Sequence, residues 1–308
     1  MTTLTGASRR LEGSPRRHRN EGLVRAFLLG ASIVSVAISA GIVLSLIFEA
    51  ISFVSSIQLS QLVADGWFPR RGMFSLGTVI AGTLIITLIA MALAAPVGLA
   101  SAVFLSEYAS TRVRRVVKPV LEILAGVPSV VLGFFALTWI SPHVVQALFS
   151  EAKAFSLLAA GLGVGILTIP LVASISEDAM RAVPLSLREA SYGLGARRVT
   201  TSLRVVVPAA ISGIVAALIL AISRAIGETM VVAVAAGASG GSLFTLDPIG
   251  PGQTLTGAMA SLATGSDNVT GNSSAFLSLY FLGFVLFAMT LGLNVLGDIF
   301  VRRTRQQY

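Results

Sequence analysis

The sequence predicts an all-α protein that crosses a membrane six times, and three observations support this fold class. Of the 308 residues, 55% are hydrophobic and only 12% are charged, whereas soluble domains usually carry about 25% charged residues. Six apolar segments are each long enough for a transmembrane helix, which needs roughly 20 residues. None shows the two-residue alternation of an outer-membrane barrel strand, and an isolated strand would leave backbone groups unpaired in lipid.

The six apolar segments define the predicted organisation of the chain. They cover residues 23–48, 77–104, 119–141, 155–176, 205–236 and 275–298. The first follows a basic region, but its apolar core from Ala26 to Phe48 exceeds the roughly 7–15 residues of a signal peptide, so we expect an uncleaved helix. The membrane domain is predicted at residues 23–301, between a disordered basic tail at 1–22 and a short tail at 302–308.

Positively charged residues predict the orientation of the helices. Eighteen of the 22 Lys and Arg residues lie in or beside the two tails and in loops 106–118 and 177–204. The alternate loops contain only three: Arg70, Arg71 and Lys153. The positive-inside rule therefore places both termini and both basic loops in the cytoplasm. The net charge of +8 follows from this topology and does not require nucleic-acid binding.

Two further polar features have simple interpretations. The longest external segment, about 239–274, is rich in Gly, Ser, Thr and Asn, which predicts a long loop with little regular structure. At the cytoplasmic face, Glu122 lies four residues after Lys118. This spacing predicts that the two side chains pair there.

The residue content excludes several classes of site. The chain has no cysteine, which removes disulfides, thiolate chemistry and cysteine metal ligands. It has no Walker A pattern, and "GLGVG" at 161–165 lies inside a span without a preceding strand, so it predicts close helix packing. His18 and His143 have no ligand partners nearby in the sequence, and we identify no constellation of Ser, His and Asp. No catalytic or metal-binding residue is therefore predicted.

The loop at 177–204 is the most informative part of the chain. Pro184 suits the start of a helix, where its missing N–H costs little. The apolar residues that follow form one stripe of a short helix beside a charged face: Leu185, Leu187, Ala190 and Leu194. A turn at 193–196 then leads to a second basic helix that enters the fifth span. Such a helix either rests on the membrane interface or docks into a groove of a soluble partner.

A family resemblance favours docking. The run Glu189-Ala190-Ser191, followed by Gly195 and by Val205-x-Val207-Pro208, resembles the EAA motif of permease subunits from ATP-binding-cassette (ABC) importers. In that family the pattern is E-A-A, three residues, Gly, nine residues and I-x-L-P, and the spacing here is the same. Ser replaces the second Ala, and Val replaces Ile and Leu.

The resemblance implies a fold and a coupling role. The fold is the MetI-like bundle of type I ABC importer permeases. The loop at 177–204 would insert into a groove of the ATPase subunit, and Gly195 would permit its turn. The implied coupling residues are Glu189, Ala190, Ser191, Gly195 and Pro208.

Three further stretches resemble the permeases of phosphate-specific importers, over nearly the whole chain. They are "GTLIITLIAMALAAPVGLASAVFLSEYAS", "VKPVLEILAGVPSVVLGFFAL" and "RAIGETM". The "GETM" run and the long segment before the second span favour the PstC type over the PstA type. The resemblance implies a bacterial inner-membrane subunit that forms half of a phosphate pathway. The other half would come from a second, related permease.

The same resemblance implies the remaining partners. This chain would bind no cofactor itself, because ATP and Mg²⁺ belong to a dimeric cytoplasmic ATPase. A periplasmic or lipid-anchored phosphate-binding protein would deliver the solute to the external loops.

Arg224 and Glu228 are the candidate pathway residues. They are the only charged residues between Arg204 and Asp247, and a charge at membrane depth costs from about 2.5 to 10 kcal/mol or more. Their spacing of four predicts an ion pair on one helix face, with either a pathway role or a purely packing role. An arginine fork fits phosphate oxygens, so we expect Arg224 to attract phosphate and Glu228 to hold it when the path is empty.

The third span contributes one more candidate. Pro128 lies between Gly126 and Gly133 and predicts a kink near Gly126. Ser129 and backbone groups freed by the kink could line the path, or the kink could serve packing alone.

Two other functional classes remain as alternatives. An ion-coupled secondary transporter also keeps buried charges near the membrane midplane, but the EAA-like loop and the lack of evident inverted halves argue against it. A membrane enzyme or scaffold ranks last, because no nucleophile, base or metal cluster supports catalysis. Among importers, the alternative solutes are other oxyanions such as phosphonate, sulfate or molybdate.

Overall fold

The computed structural model describes residues 15–237, 240–265 and 274–304, with side chains from residue 21 to residue 303. Most of the tail predicted to be disordered, at 1–22, and most of the tail at 302–308 lie outside these residues. The chain divides into two units, residues 1–48 and 49–308. In the first unit, helix α1 (Pro15–Ser56) begins, and its apolar core runs from Ala26 to Phe48.

The second unit is built almost entirely from helices. The remaining elements are α2 (Leu76–Val103), α3 (Thr111–Ala125), α4 (Ser129–Phe135), α5 (Gln146–Leu148), α6 (Leu157–Arg181), α7 (Leu185–Gly193), α8 (Arg198–Thr201), α9 (Val207–Ala209), α10 (Ile211–Ile226), α11 (Met230–Ala235), α12 (Leu255–Thr264) and α13 (Ser274–Thr304). Segments of π-helix extend α2 (Phe104–Tyr108), join α4 to α5 (Ala136–Val145) and join α8 to α9 (Ser202–Val206). Three short strands, β1 (Gly66–Phe68), β2 (Met73–Phe74) and β3 (Ser242–Leu243), complete the unit.

The number of spans agrees with the prediction. Among the described residues, five helices are long and apolar enough to cross a membrane. A sixth span is formed if the helical pair Arg198–Ala209 and Ile211–Ile226, bent by 71°, is counted as one. The predicted all-α, six-span organisation is therefore confirmed, although two spans differ in their limits.

The third predicted span, 119–141, is wrong at its start. Residues 111–125 form the separate helix α3, and a break at Gly126–Pro128 precedes a span that runs from Ser129 to Leu148. The break replaces the kink expected near Gly126. Pro128 has extended backbone angles and no N–H to continue a helix. Basic residues on α3 also disfavour burial of that helix in hydrocarbon.

The fifth predicted span, 205–236, is divided into three helices. The chain bends at Ala210 between α9 and α10, so the basic helix after the loop does not continue straight into the span. It breaks again after Ile226, where Gly227–Thr229 separate α10 from α11. The apolar composition is continuous across both breaks, and composition alone does not reveal them.

The external segment 239–274 contains more structure than predicted. Helix α12 has Leu255, Ala258 and Leu262 buried, and the side-chain oxygen of Thr254 accepts the backbone N–H of Gly257 at its start. Buried residues at helical spacing hold this helix in place despite the polar composition around it. The expectation of little regular structure is therefore wrong for α12.

Close packing of α2 against α6 forms the centre of the bundle. A Cβ atom added to Gly161 would lie 2.7 Å from the Cβ of Ile89 in α2, and one added to Gly98 would lie 2.7 Å from the Cβ of Val172 in α6. Gly163 faces the opposite direction, toward Ala136 and Val231. The prediction that the 161–165 run serves close helix packing is confirmed.

A small antiparallel sheet of strand order β2-β1-β3 lies beside the end of α1. Trp67 of β1 pairs with Phe74 of β2, and both side chains are fully buried. The Phe74 ring packs edge-on against Phe53 with centroids 5.0 Å apart. This aromatic cluster anchors the turn between β1 and β2 to the end of α1.

We expect Gly161→Val to destabilise the α2–α6 contact, because the new side chain would meet Ile89 below van der Waals distance. Overpacking of this kind costs roughly 1–3 kcal/mol. The midpoint of thermal unfolding of the purified protein in detergent should fall. Gly292→Val is the matched control, since a Cβ there meets no described atom within 4 Å outside its own helix backbone. Equal midpoints for the two variants would contradict the packing role.

Candidate coupling and translocation sites

The loop at 177–204 folds as the sequence predicts. After Pro184, helix α7 runs from Leu185 to Gly193, and it carries Glu189, Ala190 and Ser191. Gly195 follows with a φ of 76°, a left-handed conformation that favours glycine. A Cβ at Gly195 would meet no described atom within 4 Å. The glycine is therefore required by the backbone of the turn and not by close packing.

Hydrogen bonds fix the geometry of this turn. The N–H of Gly195 donates to the carbonyl of Tyr192 at 2.9 Å, and the N–H of Ala196 donates to the carbonyl of Ser191 at 3.1 Å. The hydroxyl of Ser191 also lies 2.9 Å from the hydroxyl of Thr201 in α8. Ser191, which replaces the usual alanine of the motif, thus joins the two arms of the loop.

The apolar stripe predicted on α7 has two faces. Leu187 packs against the buried cluster that includes Met180 and Val206. Leu185 and Leu194, in contrast, are 70% and 90% exposed. One part of the stripe therefore attaches α7 to its own subunit, and the other part is available to a partner.

Arg188 attaches α7 to two spans. Its guanidinium donates to the carbonyl of Met180, within the last turn of α6, at 2.8 Å, and to the carbonyl of Val183, just after the end of α6, at 2.6 Å. It also donates to the carboxylate of Glu107, at 3.1 Å, in the π-helical extension of α2. The Arg188 and Glu107 side chains are only 12% and 4% exposed. Movement of α7 would therefore be transmitted to both α2 and α6.

A second contact joins the loop to the same end of α2. The guanidinium of Arg198, at the start of α8, lies 5.1 Å from the ring centroid of Tyr108. Tyr108 directly follows Glu107 in the chain. Both arms of the loop thus contact the π-helical segment, through one ion pair and one cation–π contact. The sequence gives no signal for either contact, because about 80 residues separate the partners.

A buried carboxylate organises the C-terminal end of α6. Glu177 is fully buried and contacts three cations: Nε of Arg114 at 3.0 Å, Nζ of Lys118 at 2.8 Å and Nη1 of Arg181 at 3.7 Å. The Arg114 contact is an ion pair without hydrogen-bond alignment, so Glu177 Oε1 has no hydrogen-bond partner among the described residues. These contacts fasten the basic helix α3 to α6.

Lys118 also pairs with Asp178 at 2.6 Å. The predicted pairing of Lys118 with Glu122 is therefore wrong, because the tertiary contact with α6 supplies two closer carboxylates. Burial by itself would lower the pKa of Lys118, but hydrogen bonds to Asp178 and Glu177 outweigh burial, and the pKa lies above its ordinary value. Lys118 thus stays protonated at physiological pH.

The structure separates the two candidate pathway charges. Arg224 lies in the last turn of α10, whereas Glu228 lies in the break before α11. Glu228 Oε1 accepts the N–H groups of Met230 and Val231, at 3.2 and 3.4 Å, and so caps α11. The predicted ion pair is not formed within the described part of the chain. The helix ends after Ile226, so the four-residue spacing no longer aligns the side chains.

Arg224 is exposed and has no ion pair or hydrogen-bond partner among residues 15–237, 240–265 and 274–304. Next to it in the chain, the hydroxyl of Ser223 donates to the side-chain oxygen of Asn294 in α13, at 3.2 Å. Two otherwise apolar spans therefore present polar groups close to each other. Charged side chains at membrane depth normally face the interior of a bundle or a cavity, whereas Ser and Asn side chains commonly hydrogen-bond between helices.

Ser129 is the first residue of α4 and is half-buried. One turn later, a Cβ added to Gly133 would lie 3.0 Å from the Cβ of Val234 and 3.1 Å from the carbonyl oxygen of Met230, both in α11. The structure thus brings the helix of Ser129 against the helix that Glu228 caps. It does not join Ser129 to Arg224 by a hydrogen bond in the described residues.

Comparison with known proteins agrees with this architecture. A family model described as "Binding-protein-dependent transport system inner membrane component" matches residues 94–306. Over 232 residues the chain is 33% identical to the probable ABC transporter permease protein YqgH of Bacillus subtilis. The aligned region covers 71% of this chain and 73% of that protein.

Two further relatives have names that specify a solute. One is the phosphate transport system permease protein PstC of Xylella fastidiosa, 32% identical over 298 residues, 88% of this chain and 89% of that protein. The other is the phosphate transport system permease protein PstA 1 of Mycobacterium tuberculosis, 41% identical over 159 residues, 51% of this chain and 50% of that protein.

Solved structures show the fold. A bacterial alginate ABC transporter matches with a TM-score of 0.65 at 15% identity, over 95% of this chain and 98% of that chain. The MetNI methionine ABC transporter matches with a TM-score of 0.53 at 20% identity, over 78% of this chain and 97% of that chain. The predicted MetI-like permease bundle is confirmed.

We expect Glu107→Gln and Arg188→Met each to lower the free energy of unfolding by roughly 3–5 kcal/mol, because each leaves a buried partner uncompensated. The double variant should lose less than the sum of the two. Chemical denaturation in mixed micelles would measure these values.

The control is an exposed ion pair, Asp298 with Arg302, whose side chains are 56% and 78% exposed. Asp298→Asn should change the free energy of unfolding by less than about 1 kcal/mol. Additive losses from Glu107→Gln and Arg188→Met would show that the two residues do not act as a pair.

Proposed function

Because this chain belongs to the binding-protein-dependent transport system inner membrane component family, we propose that it is the transmembrane permease subunit of an ATP-driven phosphate importer. In this role it forms half of the translocation pathway and couples to a separate ATPase. The names of the PstC and PstA 1 relatives support phosphate as the solute. The PstC relative aligns over more of the chain, which favours the PstC type.

The exposed guanidinium of Arg224 carries the proposal for the pathway. An unpaired arginine on a span is costly in lipid, and a second permease subunit that meets this surface would enclose it in a central cavity. Its planar fork can donate two parallel hydrogen bonds to phosphate oxygens. Since Glu228 caps α11 instead of neutralising Arg224, the positive charge is available to an anion.

Glu228 has a positioning role in this proposal. Its carboxylate holds the start of α11, and its backbone carbonyl accepts the hydroxyl of Thr256 in the external helix α12 at 2.7 Å. The break at Gly227–Thr229 therefore connects the pathway to the external end of the subunit. Ser129, at the start of α4, is the remaining candidate for the lining of the path.

The loop at 177–204 is the proposed docking site for the ATPase. Glu189, Ala190 and the exposed leucines of α7 provide a surface for a groove on the partner. Ser191, Gly195 and Pro208 set the shape of the loop. Arg188 would carry the motion of α7 to α2 and α6, so that ATP-driven closure changes the packing of the spans.

Membership of the family implies further components. A cytoplasmic ATPase dimer binds ATP and Mg²⁺, a second related permease completes the pathway, and an external phosphate-binding protein delivers the solute. The excess of basic residues in the tails and in two loops places both termini in the cytoplasm. The subunit itself carries no catalytic residue in this proposal.

We expect Arg224→Gln to lower ATP-driven phosphate uptake by tenfold or more, because the charged fork is lost. Uptake of radiolabelled phosphate into proteoliposomes that contain the assembled importer would measure this. Arg303→Gln, at the cytoplasmic end of α13, is the control and should transport normally. Undiminished uptake by an assembled Arg224→Gln importer would reject the pathway role. Equal competition by sulfate, molybdate or phosphonate would point to a different oxyanion.

We expect Gly195→Ala to weaken coupling, because alanine pays roughly 1–2 kcal/mol in a left-handed conformation. Phosphate-stimulated ATP hydrolysis by the assembled importer should fall several-fold. Gly193→Ala is the matched control: Gly193 has an ordinary backbone conformation, and a Cβ there meets no described atom within 4 Å. If both variants hydrolyse ATP like the native complex, the turn is not required for coupling.

A further inference from the structure

A cavity at the external end of the subunit has a lining that is suited to an anion. It has a volume of about 250 Å³ and lies between the β1–β2 turn and the segment before and within α12. Arg70 and Arg71 line it from the turn, and none of the described residues that line it is acidic. Only three basic residues lie in the external loops, and two of them are here.

The turn holds the two arginines on a rigid support. Pro69 begins a single helical turn, and Gly72 closes it with a φ of 71° and an N–H that donates to the Pro69 carbonyl. Strands β1 and β2 flank the turn and pack on the buried aromatic cluster. The guanidinium of Arg71 also lies 5.5 Å from the ring centroid of Phe68. Positive charge is therefore concentrated on a supported turn and not on a flexible loop.

Two buried polar groups of the same lining lack partners. Trp67 is fully buried, and its indole N–H has no hydrogen-bond partner in the described chain. Gln253 is 4% exposed, and its Oε1 likewise has no partner there. Buried polar atoms are nearly always hydrogen-bonded in proteins. Two orphaned groups among the residues of one cavity make it a candidate site for a ligand that supplies their bonds.

The orphaned atoms specify what kind of ligand fits. The amide of Gln253 donates to the Ser261 hydroxyl at 3.5 Å, and that hydroxyl donates to the Ala258 carbonyl at 2.9 Å, so the side-chain oxygen of Gln253 is left as an acceptor. The arginines and the indole N–H are donors. An anion that also offers one hydrogen would satisfy all of these groups. Inorganic phosphate keeps a P–O–H group near neutral pH, whereas sulfate has none.

We propose that this cavity is an external binding site for a protonated oxyanion, phosphate in particular. Arg70, Arg71 and Trp67 bind its oxygens, and Gln253 accepts its hydrogen. The choice of phosphate as ligand rests on the proposed function of the importer. The cavity would hold the solute after its release from the binding protein and before it reaches Arg224. It would also discriminate against sulfate at this stage.

Equilibrium binding of radiolabelled phosphate to the assembled importer, in detergent without ATP or binding protein, tests the proposal. All variants also carry Arg224→Gln, which removes phosphate binding at the proposed pathway site. On that background, Arg71→Gln should weaken phosphate binding by about tenfold or more, as expected for a lost bond to a charged group. Gln253→Met should lower the preference for phosphate over sulfate by about tenfold and leave sulfate binding unchanged.

Lys153→Gln removes an external positive charge outside this cavity and is the matched control, with unchanged phosphate binding expected. The thermal stability and the assembly of each variant are first compared with those of the native importer. If Arg71→Gln does not assemble, Arg71→Lys keeps the charge but loses the fork and should bind phosphate less tightly than the native protein.

Three results would overturn the proposal. In the first, the Arg224→Gln importer binds no phosphate. In the second, phosphate binds to the Arg71 variant (Arg71→Gln, or Arg71→Lys where that one is used) as tightly as to the Lys153→Gln control, and Gln253→Met gives the same result. In the third, the Arg71 variant impairs docking of the binding protein but leaves phosphate binding intact. The β1–β2 turn would then be a contact site for the binding protein and not a phosphate site. Phosphate uptake by the native importer is measured separately, so failure of this site is distinguishable from failure of the proposed function.

Discussion

Close packing between α2 and α6 is the constraint on which the rest of the structure depends. The backbones approach at Gly98, Gly161 and Gly165, where side chains would collide with the facing helix. Lipid provides no hydrophobic drive for helices to associate, so small residues and dispersion contacts supply the attraction. The pair positions the π-helical end of α2 beside the last turn of α6. Those two ends, in turn, hold α7.

Polar contacts around α7 and α3 use this fixed geometry. Arg188 bridges α7 to the ends of α6 and α2, and Glu177 holds α3 against α6. Each contact joins a shorter helix, α7 or α3, to a packed span. A buried ion pair is weak evidence for net stability, but removal of one partner is costly. These contacts therefore favour one arrangement of the loop over others.

The external end depends on helix breaks in the same way. The break at Gly227–Thr229 frees backbone groups that Glu228 and Thr256 satisfy. Irregular backbone at membrane depth is tolerated only where it is buried in protein or lines a cavity. Arg224 precedes this break on an exposed surface. The residue proposed to bind phosphate therefore lies next to a break in the fifth span.

Sequence alone determined the class of the fold, the number of spans, the helix at 185–193 and the turn at Gly195, because these follow from local composition, spacing and backbone preference. It also identified the 161–165 run as a packing surface. It did not determine the start of the third span or the breaks of the fifth, since apolar composition continues across them. Only the tertiary structure showed that Lys118 pairs with Glu177 and that Arg188 pairs with Glu107. It also showed that Arg224 and Glu228 do not form an ion pair. Each of these outcomes depends on which side chains distant parts of the chain bring together, and a local pattern contains no information on that.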